Sequence, residues 1–104
     1  VYFKIANTQS GAPSWWLYAN NNRLVAWAGE TFDSTSNARR AAAAFKSGAF
    51  TARYEVYTDA GGAWRWRAWR SSDKVAASGE SFSSKNAAQD AAENVRRNAG
   101  NAVL

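Results

Sequence analysis

The chain has no cysteine and no histidine among its 104 residues. The first absence removes disulfide staples and thiol nucleophiles. The second removes the commonest general base, and together they remove the usual zinc ligands. No apolar run approaches the roughly 20 residues a membrane span requires, and no charged-then-apolar leader opens the chain. These features indicate a soluble protein with the cytoplasm as its default placement, although Val1 stands where an initiator methionine would, which leaves processing open. No Pro-, Ser- or charge-rich tract marks a linker, since Gly48-Ala49-Phe50-Thr51-Ala52-Arg53 runs straight into the next strand pattern.

What is present is a chain of one-domain length with 46% apolar residues, enough to close a core without metals or disulfides. Thirteen Lys and Arg against eight Asp and Glu give a formal charge of +5. A basic balance permits an anionic partner, but an Ala- and Arg-rich background produces the same balance, so charge alone decides nothing.

Comparing the chain with itself at a shift of 50 residues is more informative, because a repeat dictates architecture before local propensity does. Val25-Ala26-x-x-Gly29-Glu30-x-Phe32-x-Ser34-x-x-x-Ala38-x-x-Ala41-Ala42 reappears as Val75-Ala76-x-x-Gly79-Glu80-x-Phe82-x-Ser84-x-x-x-Ala88-x-x-Ala91-Ala92. Upstream, the same shift pairs Trp16 with Trp66 and Gly11 with Gly61. At the start of each half it becomes 51, so that Phe3 and Ile5 meet Tyr54 and Val56. The extra residue is thereby expected in the loop of the first hairpin.

Each half shows the same sequence of patterns. Phe3-Lys4-Ile5 and Tyr54-Glu55-Val56-Tyr57 alternate as strands do, and turn clusters follow at Ser10-Gly11-Ala12-Pro13 and Asp59-Ala60-Gly61-Gly62. Second strands are expected at Trp15-Trp16-Leu17-Tyr18 and at Trp64 to Trp69, and third strands at Leu24 to Trp27 and Lys74 to Ala77. After Phe32 and Phe82 the period changes from two to 3.6: Ala38, Ala41, Ala42 and Phe45 recur in helical spacing, as do Ala88, Ala91, Ala92 and Val95. Asp33-Ser34 and Ser83-Ser84 supply N-cap oxygens, and Gly48 and Gly100 fall where left-handed C-caps are expected.

The pattern predicts an α+β fold: two tandem β-β-β-α repeats, residues 1–48 and 49–104, in a single domain 1–104. Six main antiparallel strands and two helices are expected, with the repeats paired about a pseudo-twofold axis. Short extra strands are expected after each helix, at Ala49-Phe50 and Ala102-Val103-Leu104. A half of about 50 residues buries too little surface to be comfortable alone, so a shared core is the cheaper solution.

Tyr54-Glu55-Val56-Tyr57, Gly62-Ala63-Trp64-Arg65-Trp66-Arg67, Ser78-Gly79-Glu80-Ser81-Phe82-Ser83-Ser84-Lys85 and Val95-Arg96-Arg97-Asn98-Ala99 form a specific pattern. It resembles the YegP-like family of small uncharacterised proteins, which carry one or two copies of a β-β-β-α unit. The first half keeps the Gly-Glu-x-Phe-x-Ser block and the helix but has Ser14-Trp15-Trp16-Leu17 in place of the Trp-Arg-Trp-Arg strand. For the fold, the resemblance implies one antiparallel sheet made by both repeats, with both helices on one face. It implies no reaction, because no activity is established for the family.

Strand alternation puts Trp64, Trp66 and Ala68 on one face and Arg65, Arg67 and Trp69 on the other. With Trp16 paired to Trp66, the corresponding outward residues of the first half are Trp15 and Leu17. The expected interaction face, free of helices, is therefore Trp15, Leu17, Arg65, Arg67 and Trp69. Three readings fit it: a protein-interaction or self-association surface, a surface that stacks bases and pairs phosphates, or Arg stems that cover aromatic rings with Glu55 as a cross-strand partner. The first is preferred over nucleic acid, because Trp15 and Leu17 would interrupt a phosphate track.

Glu30 and Glu80 are the carboxylates repeated at equivalent positions, and they are read as fixing the strand-to-helix corner through backbone or Arg contacts. No group supports them as an acid-base pair. Gly79-Glu80-Ser81-Phe82-Ser83 lacks the second glycine of a nucleophile elbow, and no Gly-rich phosphate fingerprint accompanies Gly29 or Gly79. Phe32 and Phe82 are read as core plugs. The expectation is a non-enzymatic module with no cofactor, metal, membrane or small-molecule substrate.

Overall fold

A computed structural model describes residues 1–104. Strands β1 (Tyr2–Asn7), β2 (Pro13–Tyr18) and β3 (Leu24–Trp27) are followed by helix α1 (Thr35–Gly48). Strands β4 (Arg53–Thr58), β5 (Trp64–Arg70) and β6 (Asp73–Ser78) then precede helix α2 (Lys85–Asn98), which ends in a 3-10 turn at Ala99–Asn101. The strands make one six-stranded sheet in the order β1-β2-β3-β6-β5-β4, antiparallel throughout.

The helices start where their caps dictate. Ser34 Oγ accepts the Asn37 N–H at 3.0 Å and Ser84 Oγ the Ala87 N–H at 3.1 Å, each satisfying a donor the first turn leaves open. Each helix then buries one stripe, Ala38, Ala42 and Phe45 in α1 and Ala88, Ala92 and Val95 in α2. The helix ends depart from expectation. The C-caps are Ala49 and Ala99, both right-handed, with φ of −60° and −62°. Gly48 serves a close approach instead: a Cβ there would lie 2.7 Å from Nη2 of Arg70, which donates to the Ala44 carbonyl at 2.9 Å.

Of the extra strands expected after the helices, only the second has a counterpart. Val103 forms a parallel bridge with Tyr2, accepting the Phe3 N–H at 2.8 Å and donating to the Val1 carbonyl at 2.9 Å. Ala49-Phe50 is a turn, because too few residues separate α1 from β4 for a strand to form.

Residues on both sides of Gly48 contribute to one contiguous core, including Phe3, Trp15, Leu17, Phe45, Trp66 and Val95. Phe32 and Phe82 pack against it, as expected. The halves of the sheet join through Ala26 opposite Ser78 and Trp27 opposite Ala77. Neither helix is long and apolar enough to cross a membrane.

The register of β2 corrects the sequence-based alignment. Ile5 opposes Trp15 and Phe3 opposes Leu17, while Val56 opposes Trp66 and Tyr54 opposes Ala68. Trp15 therefore holds the place of Trp66, and Leu17 that of Ala68. The first hairpin loops are equal in length. Thr8 N–H donates to the Ala12 carbonyl as Asp59 N–H does to Ala63, and Gly11 and Gly62 take the same left-handed place, with φ of 90° and 84°. The extra residue sits one hairpin later. Ala19 N–H reaches across Asn20, Asn21 and Asn22 to the Arg23 carbonyl, whereas Arg70 pairs with Asp73 across Ser71 and Ser72 alone. A one-residue slip turns every side chain of a strand to the other face, so Trp15 and Leu17 do not lie on the helix-free face.

Candidate interaction face

Trp15 and Leu17 point under the helices and are 0% and 1% exposed. Trp15 stacks on Phe45 of α1, with ring centroids 5.2 Å apart. The residues that alternate with them, Trp16 and Tyr18, look out from the other side. The helix-free face therefore carries an unbroken cross-strand row running through Lys4, Trp16, Trp27, Ala77, Arg67 and Glu55, one residue from each strand. Of the five residues expected on this face, Arg65, Arg67 and Trp69 are there, brought together on β5, and each is partly exposed.

The two ends of the row differ in chemistry. Over β1, β2 and β3 the surface is aromatic: Tyr2 stacks on Tyr18 at 5.3 Å and Trp16 on Trp27 at 6.4 Å, both pairs nearly parallel. Such pairs are favourable beyond the area they bury, and they hold the rings in fixed positions. Over β4 and β5 the surface is made of arginines lying on rings. The Arg67 guanidinium sits 4.2 Å from the Tyr57 ring centre and 5.4 Å from that of Trp69, and Arg53 lies 5.7 Å from Trp69.

Both β5 arginines are engaged by carboxylates. Arg67 Nε donates to Glu55 Oε1 at 2.6 Å, the same oxygen that accepts Trp69 Nε1 at 3.1 Å. Arg65 Nε donates to Asp59 Oδ2 at 2.8 Å, and Oδ1 of Asp59 holds the turn by accepting the Gly61 and Ala63 N–H groups. The hydrogen bond from Arg67, then that from Trp69, holds the Glu55 carboxyl below the usual glutamate range. The hydrogen bond from Arg65 does the same for Asp59. This is the expected cross-strand arrangement of Glu55 and the Arg stems.

Tyr2, Trp16, Tyr18, Trp27 and Tyr57 belong to this face without having been assigned to it from sequence. The signal that would have found them is the left-handed glycine of the first turn. Pairing Gly11 with Gly62 keeps the shift at 51 through β2 and brings Trp16 opposite Arg67 in the comparison.

The repeated glutamates are used differently. Glu80 forms an ion pair with Arg23 across the middle of the sheet, whereas at Glu30 it is the main-chain carbonyl that accepts Ser14 Oγ, at 2.7 Å. These are the Arg and backbone contacts anticipated for the strand-to-helix corner. The repeated glycines also serve two purposes, since Gly29 is left-handed with φ of 79° while Gly79 makes room for the Leu24 side chain.

Residues 59–104 match the family model described as a domain of unknown function, DUF1508. The chain superposes on the solution structure of yegP from E. coli with a TM-score of 0.81 at 16% identity, covering 98% of this chain and 88% of that one. It superposes on the UPF0339 protein SO3888 of Shewanella oneidensis with a TM-score of 0.79 at 15% identity, covering 95% and 84%. No curated protein matches the chain by sequence. Residues 59–104 are thus similar to the DUF1508 domain, and the whole chain has the α+β fold of the YegP and UPF0339 proteins.

Proposed function

We propose that this chain is a non-catalytic self-association module, a tandem β-β-β-α duplication with pseudo-twofold symmetry whose helix-free sheet face docks on the same face of a second copy. One observation carries the reading: the face has an aromatic half, Tyr2, Trp16, Tyr18 and Trp27, and a half where arginines lie on rings and are paired with carboxylates. A twofold axis lying in the interface parallel to the central strands brings unlike halves together, placing the arginines of one copy over the indoles of the other. Tryptophan, tyrosine and arginine are the residue types that dominate association energies.

Binding of single-stranded nucleic acid is the second reading, favoured by the formal charge of +5 and by cations interleaved with rings. It ranks lower because Arg65 and Arg67 already have carboxylate partners, which leaves Lys4 and Arg53 to neutralise phosphates on this face. Light scattering combined with tryptophan fluorescence under oligonucleotide titration separates the two. Self-association through buried rings persists from about 50 to 200 mM salt, whereas phosphate-driven binding weakens steeply over that range. A monomer that binds single-stranded DNA or RNA with a steep salt slope, lost in the Arg65→Ala, Arg67→Ala double variant, would reverse the ranking.

A further inference from the structure

The two halves of the sheet meet their helices differently. In the second half the junction is covered by long cationic side chains. Lys74 lies across Gly29, its Cε 3.0 Å and Nζ 3.3 Å from where a Cβ would stand. Beside it, Arg70 reaches over Gly48 to the Ala44 carbonyl of α1. No cleft opens between β6 and α1.

At the matching places in the first half both side chains are short. Leu24 opposes Tyr18 as Lys74 opposes Trp69, and Ala19 follows Tyr18 as Arg70 follows Trp69. Leu24 lies over Gly79, its Cγ 2.7 Å from where a Cβ would stand, just as Lys74 lies over Gly29. With leucine and alanine in place of lysine and arginine, a cleft of about 400 Å³ is left between β3 and α2. A second hollow of about 320 Å³ past Ala19 shares Val25 and Asn94 with it.

The chemistry of this cleft suits a particular occupant. Its floor is apolar, formed by Leu24, Val25, Phe82 and Ala91, and its rim carries two carboxylates, Glu80 and Asp90, beside the guanidinium of Arg23. Asp90 takes part in no ion pair, and Glu80 has a single partner, Arg23, whose side chain is 60% exposed. An aliphatic stem ending in a cation satisfies floor and rim together, and Lys74 lays such a stem across Gly29 at the equivalent junction.

We propose that the cleft binds a lysine side chain presented by a partner peptide, its methylenes along Leu24, Val25 and Phe82 and its ammonium at Asp90 and Glu80. The formal charge of +5 opposes an extended basic tract, so the fit is to a single lysine in a neutral context. This site lies on the helix side of the sheet and is independent of the self-association face.

The test is a heteronuclear NMR titration of the full chain with a capped tripeptide carrying one central lysine, against the same peptide with norleucine. Lysine-dependent shifts are expected at Leu24, Val25, Glu80 and the 87–94 segment. Asp90→Asn, on an exposed helix surface, is expected to weaken binding up to about fivefold, the upper range for an exposed ion pair. Leu24→Lys, which copies the other half, is expected to fill the cleft and abolish the shifts while the spectrum keeps its native dispersion. The proposal is overturned if norleucine binds equally well, if the shifts fall on the Trp16 and Trp27 face, if no shifts appear, or if Leu24→Lys leaves them in place.

Discussion

Trp15 lies flat against Phe45, ring planes within 19° of parallel, and this contact joins β2 to α1 while its neighbour Trp16 faces the opposite way. Two adjacent tryptophans therefore have unrelated jobs. Trp15→Ala removes a ring with no solvent exposure and is expected to destabilise the fold by about 3–5 kcal/mol. Trp16→Ala opens no cavity in the core and is expected to cost about 1 kcal/mol, the worth of an aromatic pair. Urea denaturation of both variants checks the register directly. A larger loss in Trp16→Ala would mean that β2 is turned over.

The same adjacency explains what was hidden in the sequence. The change of period from two to 3.6 after Phe32 and Phe82, and the serine caps at Ser34 and Ser84, made the element order and the helix starts legible, because they depend on local spacing alone. The face of β2 was not legible, since Trp15 and Trp16 both align plausibly with Trp66. Everything then depended on which hairpin holds one extra residue, which is settled by pairing between strands. The helix ends were missed for a similar reason. Gly48 looks like a C-cap from its position, yet its lack of a Cβ accommodates Arg70, a contact made from 22 residues further along the chain.

Gly79 offers a test of the packing at the middle of the sheet. A Cβ there would sit 2.7 Å from Leu24 Cγ and 3.3 Å from the Ala26 amide nitrogen. Gly79→Ala is expected to destabilise by about 1–3 kcal/mol through this overlap. Because most of the conflict is with one side chain, the cost should shrink when Leu24→Ala is added, giving a non-additive cycle. Additive losses in thermal denaturation would show that the Leu24–Gly79 contact is not the cause.

Acid should loosen the arginine half of the free face before it unfolds the protein. The Glu55 carboxyl titrates lower when folded than its ordinary value of 4.5, so its pairing with Arg67 and Trp69 is intact above that value. It is lost as pH falls through the folded value, which lies lower. The indole N–H resonance of Trp69 should therefore shift with a midpoint below pH 4.5, the ordinary glutamate value, and the transition should vanish in Glu55→Ala. A midpoint above that value would contradict the pairing.

The hydroxyl of Tyr54 donates to the Ala49 carbonyl at 2.8 Å, tying β4 to the turn after α1. Burial is the main cause that raises its phenol above the ordinary value of 10.0, so the folded state disfavours ionisation. The associated stability is complete below pH 10.0 and declines as pH rises beyond it. Tyr54→Phe should cost about 1 kcal/mol at neutral pH and flatten the alkaline limb of the stability curve. An alkaline limb identical to that of the parent chain would show that another group is responsible.

The association claim is tested most directly by following the tryptophan indole N–H resonances on dilution. Self-association through the helix-free face predicts that the signals of Trp16, Trp27 and Trp69 move with protein concentration while those of the buried Trp15 and Trp66 stay fixed. Trp16→Ala is expected to weaken the effect at least about tenfold, as loss of a central aromatic contact does. Resonances that do not change over the whole concentration range would contradict the account, as would movement confined to Trp15 and Trp66.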